Sequence, residues 1–243
     1  MIFKTKTATM PLLATNIVFF VFQLIFTGFT EALVLSTADI LTRPWILITS
    51  MFLHSGFGHL FFNMYALLIF GPLLESRIGK KRFFFMYFLS GLVASIGYSL
   101  FMPNSFALGA SGAIMGMLGV TIMLLPDLPV LFFFIIPMSL RTAGIIFALI
   151  DIFGLFNPAS GIGHWAHLFG LATGLLYGWY LLKKREKFKT AFNTLKKFSQ
   201  TVEIKTEHKK KVKSEVRDAD FSYSESIQLS DEDIQNYLKN GRL

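Results

Sequence analysis

Cysteine is absent from the 243 residues, so disulfides, thiolate nucleophiles and cysteine-ligated metals are excluded at once. Charge is scarce. Asp, Glu, Lys and Arg make up 16% of the chain against 53% hydrophobic and 16% aromatic residues, and the mean hydropathy is +0.55. A soluble domain carries about 25% charged residues, so a single soluble domain is not expected. The charge that is present is concentrated at one end. Residues 183–243 hold 15 of the 23 Lys and Arg and 10 of the 15 Asp and Glu, which leaves a nearly uncharged membrane body followed by a polar tail. The net charge of +8 could suggest nucleic acid. Most of the excess, however, follows the last apolar run, where basic residues mark the cytoplasmic membrane face. A bilayer is the expected partner, and nucleic acid is not.

A helix needs about 20 apolar residues to cross about 30 Å of hydrocarbon. Six stretches approach this, at about 10–29, 60–74, 83–101, 109–125, 140–156 and 163–182, so the fold class is all-α, a six-span membrane bundle. The first is kept as a span because no small-residue cleavage pattern follows it before Glu31. The run Pro129 to Pro137 is too short to cross and is bracketed by prolines, so it reads as an interfacial or extended connector. Lys4, Lys6, Arg77, Lys80, Lys81, Arg82, Arg141 and the cluster from Lys183 fall on one side, and Arg43 on the other. The expected placement is a multi-pass protein of the cell membrane with both termini cytoplasmic. Two regions follow: a membrane core over 1–185 and a tail over 186–243. The tail opens with a basic amphipathic stretch carrying Phe188, Phe192, Leu195 and Phe198. It is then too polar for a core, and a short capped helix is expected near Ser230 to Leu238.

Polar groups inside lipid are costly and therefore carry functional hypotheses. Three clusters qualify: His54, His59 and Asn63; Ser111 within GASGA; and His164 with His167. Each lies at the start of an even-numbered span, and every even span starts at the outer face. His59 and Asn63 are four residues apart, on one helix side. Ser111 adjoins a stripe of Gly112, Gly116 and Gly119, and His167 aligns with Gly170, Gly174 and Gly178. Such stripes let helices approach closely in lipid. Spans four and six are thus expected to touch, bringing the Ser111 hydroxyl to the His167 imidazole.

The chemistry this permits is nucleophilic acyl transfer. A serine hydroxyl needs a base, and a neutral histidine supplies one near pH 7. His59, Asn63 and the helix N-terminus at Ser111 would then offer donors to the oxyanion. His54 and His164 are assigned to loop or interfacial hydrogen bonding. A histidine-only metal site built from His54, His59, His164 and His167 is the competing reading. It lacks HExxH and a partnered carboxylate and leaves Ser111 unexplained, so no metal and no cofactor are expected. The acidic candidates to orient His167 are Asp151, Asp39 and Glu31. None has a spacing that places it beside His167, so the expectation is a Ser–His dyad.

On these residues the chain resembles the rhomboid intramembrane serine proteases. The likeness runs from about Trp45 to Tyr180, through FLHSGFGHLFFNMYAL, Glu75-Ser-Arg-Ile-Gly79, GASGA and AHLFGLATG. The resemblance implies Ser111 as nucleophile, His167 as base, His59 and Asn63 as oxyanion donors, and a six-span core with a water-filled cavity open to the outer face. It further implies single-pass transmembrane proteins as substrates. Two positions depart from the family pattern. The usual Trp-Arg pair reads Trp45-Ile46, with Arg43 as the available substitute, and the aromatic often four residues after the serine is Met115. The expected function is an intramembrane serine endopeptidase; the alternative is an inactive relative that binds transmembrane helices.

Overall fold

A computed structural model of the chain describes residues 7–132, 135–157 and 160–211, with backbone alone for Phe132 and residues 197–211. Two expectations lie outside these residues: the terminal helix near Ser230, and the positions of Lys4 and Lys6. The chain divides into two compact units, Met1–Tyr180 and Leu181–Leu243. The candidate site lies wholly in the first.

The structure is mostly helical. Helix α1 (Thr9–Ile25) lacks a side-chain cap of its own. Its cap comes from the next long helix, α4 (Phe57–Ile78), which projects the buried Glu75. The Ala8 N–H reaches the two carboxylate oxygens at 2.8 and 2.9 Å, and the Thr9 hydroxyl donates at 3.2 Å. A carboxylate there pairs N–H groups that no helix satisfies internally, and the dipole favours its charge. Between these helices lie α2 (Phe29–Leu33), strand β1 (Leu35–Ser36), and α3 (Ile46–Thr49), which tightens into a 3-10 turn over Ser50–Phe52. The Arg43 guanidinium donates to the Glu31 and Ala32 carbonyls at 2.7 and 2.6 Å. Arg43 therefore ties down this connecting segment, in a chain that has Ile46 after Trp45.

Helix α4 passes through Pro72 and ends at Gly79. There a positive φ of 78° permits the turn into α5 (Lys80–Phe101), a conformation glycine adopts without steric penalty. Strand β2 (Phe106–Ala107) pairs antiparallel with β1, Leu35 opposite Ala107. Then come α6 (Ser111–Leu124), β3 (Pro129–Phe132), β4 (Ile136–Ser139), α7 (Leu140–Gly154) and α8 (His164–Lys211). The proline-bracketed run contributes β3 and the start of β4, which pair antiparallel with Pro129 opposite Ser139. Its described strands are thus extended, and the prolines disfavour a continuous helix there. Arg141 is thereby left exposed, 3.2 Å from Asp127.

Helices thus occupy all six expected stretches, with ends shifted by a few residues except at the C-terminal end of α8. Two of them, α4 and α5 at 22 residues each, are long and apolar enough to cross a membrane on their own, while α1 and α6 are shorter apolar helices. Helix α8 runs on to Lys211, further than the amphipathic stretch read from the tail. Lysine, glutamate and glutamine have good helix propensity, so a polar segment continues a helix without apolar content.

Packing centres on α6, in which every residue from Gly112 to Ile122 is buried. Leu24, Phe62, Leu100, Phe153 and Leu176 instead face outward and exposed, an apolar exterior suited to lipid rather than water. Contacts at the glycines set the helix directions. A Cβ on Gly170 would collide with the Gly112 carbonyl, and one on Gly174 with the Gly116 carbonyl, so α6 and α8 run parallel with backbones touching. Gly144 near the start of α7 meets Ile122 near the end of α6, so α7 runs the other way.

Candidate active site

These directions bring three helix starts and one helix end to one level: the first turns of α4, α6 and α8 and the last turn of α7. Ser111 is the first residue of α6, where the helix N–H groups lack intrahelical acceptors. His167 lies in the first turn of α8. Its Nε2 is 2.7 Å from the Ser111 Oγ, across 56 residues of sequence. Both side chains are half-buried.

His59 approaches from α4. A Cβ placed on Gly109 would lie 2.8 Å from the His59 Nε2 and 3.8 Å from the Ser111 Oγ, so this ring edge and the serine flank the same small space. Gly109 has φ 128°, and its N–H donates to the Ser50 carbonyl at 2.9 Å. The other ring nitrogen of His59, Nδ1, accepts from the Ser55 N–H at 3.4 Å and lies 3.1 Å from the Ser55 hydroxyl. A neutral imidazole accepting at Nδ1 carries its hydrogen on Nε2, so His59 presents a donor toward Gly109 and Ser111. Asn63 is buried one turn further along α4, and its Nδ2 donates to the His59 carbonyl at 2.8 Å. Among the described residues no hydrogen bond joins Asn63 to Ser111.

His54 and His164 are both buried. Gln23 of α1 accepts from the His54 N–H at 2.9 Å and donates to its carbonyl at 3.2 Å. Burial, followed by the neighbouring His59 ring, lowers the His54 pKa to about 4. His164 is held by Asp151, with Nδ1 to Oδ1 at 2.7 Å, and by the Ser160 hydroxyl at 3.1 Å from Nε2.

Asp151 corrects the sequence reading. It is beside His167, its Oδ1 3.0 Å from the His167 Nδ1. Spacing gave no sign of this because the two residues sit on different helices. The reversal of α7 between α6 and α8 carries its last turn to the level of their first turns. Asp151, His164 and His167 each offer a ligand atom, and these atoms lie within 4.8 Å of one another. The carboxylate missing from the metal reading is therefore present, in a three-group set that does not include His54 or His59. A metal on the Nδ1 of His167 would leave the hydrogen on Nε2, facing the hydroxyl of Ser111 with a donor instead of an acceptor. Ser55, Ser160 and Gln23 were not singled out by sequence; only the i, i+4 spacing of Ser55 and Ser160 to the two histidines could have pointed to them.

Residues 41–184 match the Rhomboid domain family. The chain is 37% identical over 144 residues to YdcA of Bacillus subtilis, covering 59% of this chain and 70% of that protein. It is 38% identical over 144 residues to the mitochondrial RHOMBOID-like protein 6 of Arabidopsis thaliana, covering 58% of this chain and 44% of that protein. Inactive RHOMBOID-like protein 8 of the same plant is 37% identical over 75 residues, or 31% of this chain and 21% of its own length. The chain thus spans less than half of each plant relative.

Proposed function

The chain belongs to the rhomboid family of membrane proteins, and from that footing we propose that it is an intramembrane serine endopeptidase acting through Ser111 and His167. Family likeness does not by itself separate a protease from a non-catalytic helix binder, since an inactive relative also matches. The observation that carries the proteolytic reading is the 2.7 Å contact between the Ser111 Oγ and the His167 Nε2 at the N-terminus of α6.

In the proposed reaction the Ser111 Oγ attacks the scissile carbonyl carbon while the His167 Nε2 takes the hydroxyl proton. The oxyanion is received by the Nε2–H of His59, by the N–H groups opening α6, and by the amide hydrogen of Asn63 not used on the His59 carbonyl. His167 returns the proton to the departing amine, the C–N bond breaks, and an acyl-serine remains. A water deprotonated by His167 then hydrolyses it, restoring both groups. One such oxyanion donor contributes about 3–4 kcal/mol.

Six spans, a core over 1–185 and a tail over 186–243 complete the proposal, with single-pass transmembrane proteins as substrates. Orientation is supported by charge. Arg77, Lys80, Lys81, Arg82 and Arg141 stand at the helix ends remote from Ser111, which supports a site on the outer side of the cell membrane with both termini in the cytoplasm. Depth is supported by length. With 14 residues α6 rises about 21 Å, roughly 9 Å less than the hydrocarbon thickness. If its inner end meets the cytoplasmic boundary, Ser111 is recessed beneath the outer one, within reach of water and of a substrate helix end.

A serine-reactive fluorophosphonate is expected to label the wild type in vesicles and to fail with Ser111→Ala and His167→Ala. Cleavage of transmembrane substrates should disappear with the label, while Ser111→Ala still binds them. Folded wild type that neither labels nor cleaves would sink the proteolytic reading and leave the helix binder.

A further inference from the structure

Asp151 is the buried group that the Ser–His mechanism leaves without a task. Its side chain is 6% exposed, in the last turn of α7. A single oxygen, Oδ1, meets the Nδ1 of His164 at 2.7 Å and the Nδ1 of His167 at 3.0 Å. Beyond His167 stands Ser111, and beyond His164 stands Ser160, so five side chains form one continuous chain: Ser160, His164, Asp151, His167, Ser111.

We infer that Asp151 is the positioning carboxylate of the Ser111–His167 pair, so that the site works as a triad rather than a dyad, with His164 anchoring the carboxylate. The inference rests on the proteolytic reading above. Its physical basis is the direction of the hydrogen bonds. An ionised carboxylate only accepts, so the hydrogen of a neutral His167 belongs on Nδ1. Nε2 then keeps its lone pair toward the Ser111 hydroxyl, the form a general base requires. When the proton moves from Oγ to Nε2, the resulting imidazolium faces, at 3.0 Å, a carboxylate whose side chain is 6% exposed.

Little else holds the ring. Among the described residues, the one aromatic contact to His167 is the edge of His164, with centroids 6.4 Å apart. Met115, which stands four residues after the serine, packs instead with Leu118, Ile122, Leu140 and Leu171. Asp151 in turn is held by a built feature. A Cβ on Gly154, at the end of α7, would collide with the His164 ring, so that glycine makes the space in which His164 grips Asp151.

The test compares wild type, Ser111→Ala, Asp151→Asn and Asp151→Glu as full-length protein in vesicles, with a transmembrane peptide substrate and with fluorophosphonate labelling. The expected result for Asp151→Asn is a kcat lowered about 10²- to 10⁴-fold, with labelling slowed in parallel and KM little changed. Asp151→Glu restores part of the loss. A purely structural role would instead move the thermal midpoint and KM and would not follow the carboxylate. Because Asp151→Asn could simply fail to fold, wild type with ¹⁵N-labelled histidine provides a second measurement. His167 should show hydrogen on Nδ1 and none on Nε2. The opposite tautomer in a wild type that still labels and cleaves, or an Asp151→Asn enzyme as fast as wild type, overturns the triad and leaves the protease standing. An inert wild type removes the protease reading itself.

Discussion

A neutral imidazole nitrogen can accept a proton or donate one, and the two histidines flanking Ser111 are held in opposite senses. The Ser55 N–H on Nδ1 leaves His59 with a hydrogen on Nε2, while the Asp151 carboxylate on Nδ1 favours a bare Nε2 on His167. One ring is thereby suited to receive an oxyanion and the other to take a proton. His54, just outside α4, gives a pH test at this scale. Burial lowers its pKa from 6.5 to about 4, so between these values the unfolded chain binds a proton that the folded protein does not. Its contribution is complete above about pH 6.5 and is lost as pH falls toward about 4, amounting to about 3 kcal/mol at most. Thermal midpoints in detergent should therefore drop more steeply for wild type than for His54→Gln between about pH 7 and about pH 5. Parallel curves would contradict the assignment.

At the scale of elements, the geometry of the proposed site depends on how closely α6 and α8 approach. The carbonyls of Gly112 and Gly116 occupy the places where side chains on Gly170 and Gly174 would stand. Backbone cannot yield as a flexible side chain does, so any substituent moves a helix. Gly174→Val should destabilise the bundle by about 1–3 kcal/mol, as overpacking does. It should also lower the Ser111 labelling rate about 100-fold, because a shift of about 1 Å between nucleophile and base has that effect. Thermal unfolding and labelling kinetics check the two halves separately. An unchanged midpoint would mean that the helices are not in fact pressed together at this point. Glu75 shows the same dependence between elements: α1 begins on a carboxylate that α4 provides.

At the scale of the whole molecule, every residue of the proposed site lies in the unit Met1–Tyr180. Removing residues 190–243 is expected to leave Ser111 labelling intact, measured on the truncated protein in vesicles; a truncated chain recovered only unfolded would refute this. Much of the design was legible along the chain. Long apolar runs with little charge marked where the helices lie. Polar residues at the starts of even-numbered runs singled out Ser111 and His167, which the fold brings within 2.7 Å, together with His59 and Asn63 as candidates. The glycine stripes told which helices meet, since close approach needs absent side chains at helical spacing. What the linear order could not convey was Asp151. Its place beside His167 depends on α7 reversing direction and on Gly154 admitting the His164 ring, relations between helices that leave no periodic mark. Nor could it reveal the tautomers, which are set by hydrogen-bond partners that only the folded backbone brings within reach.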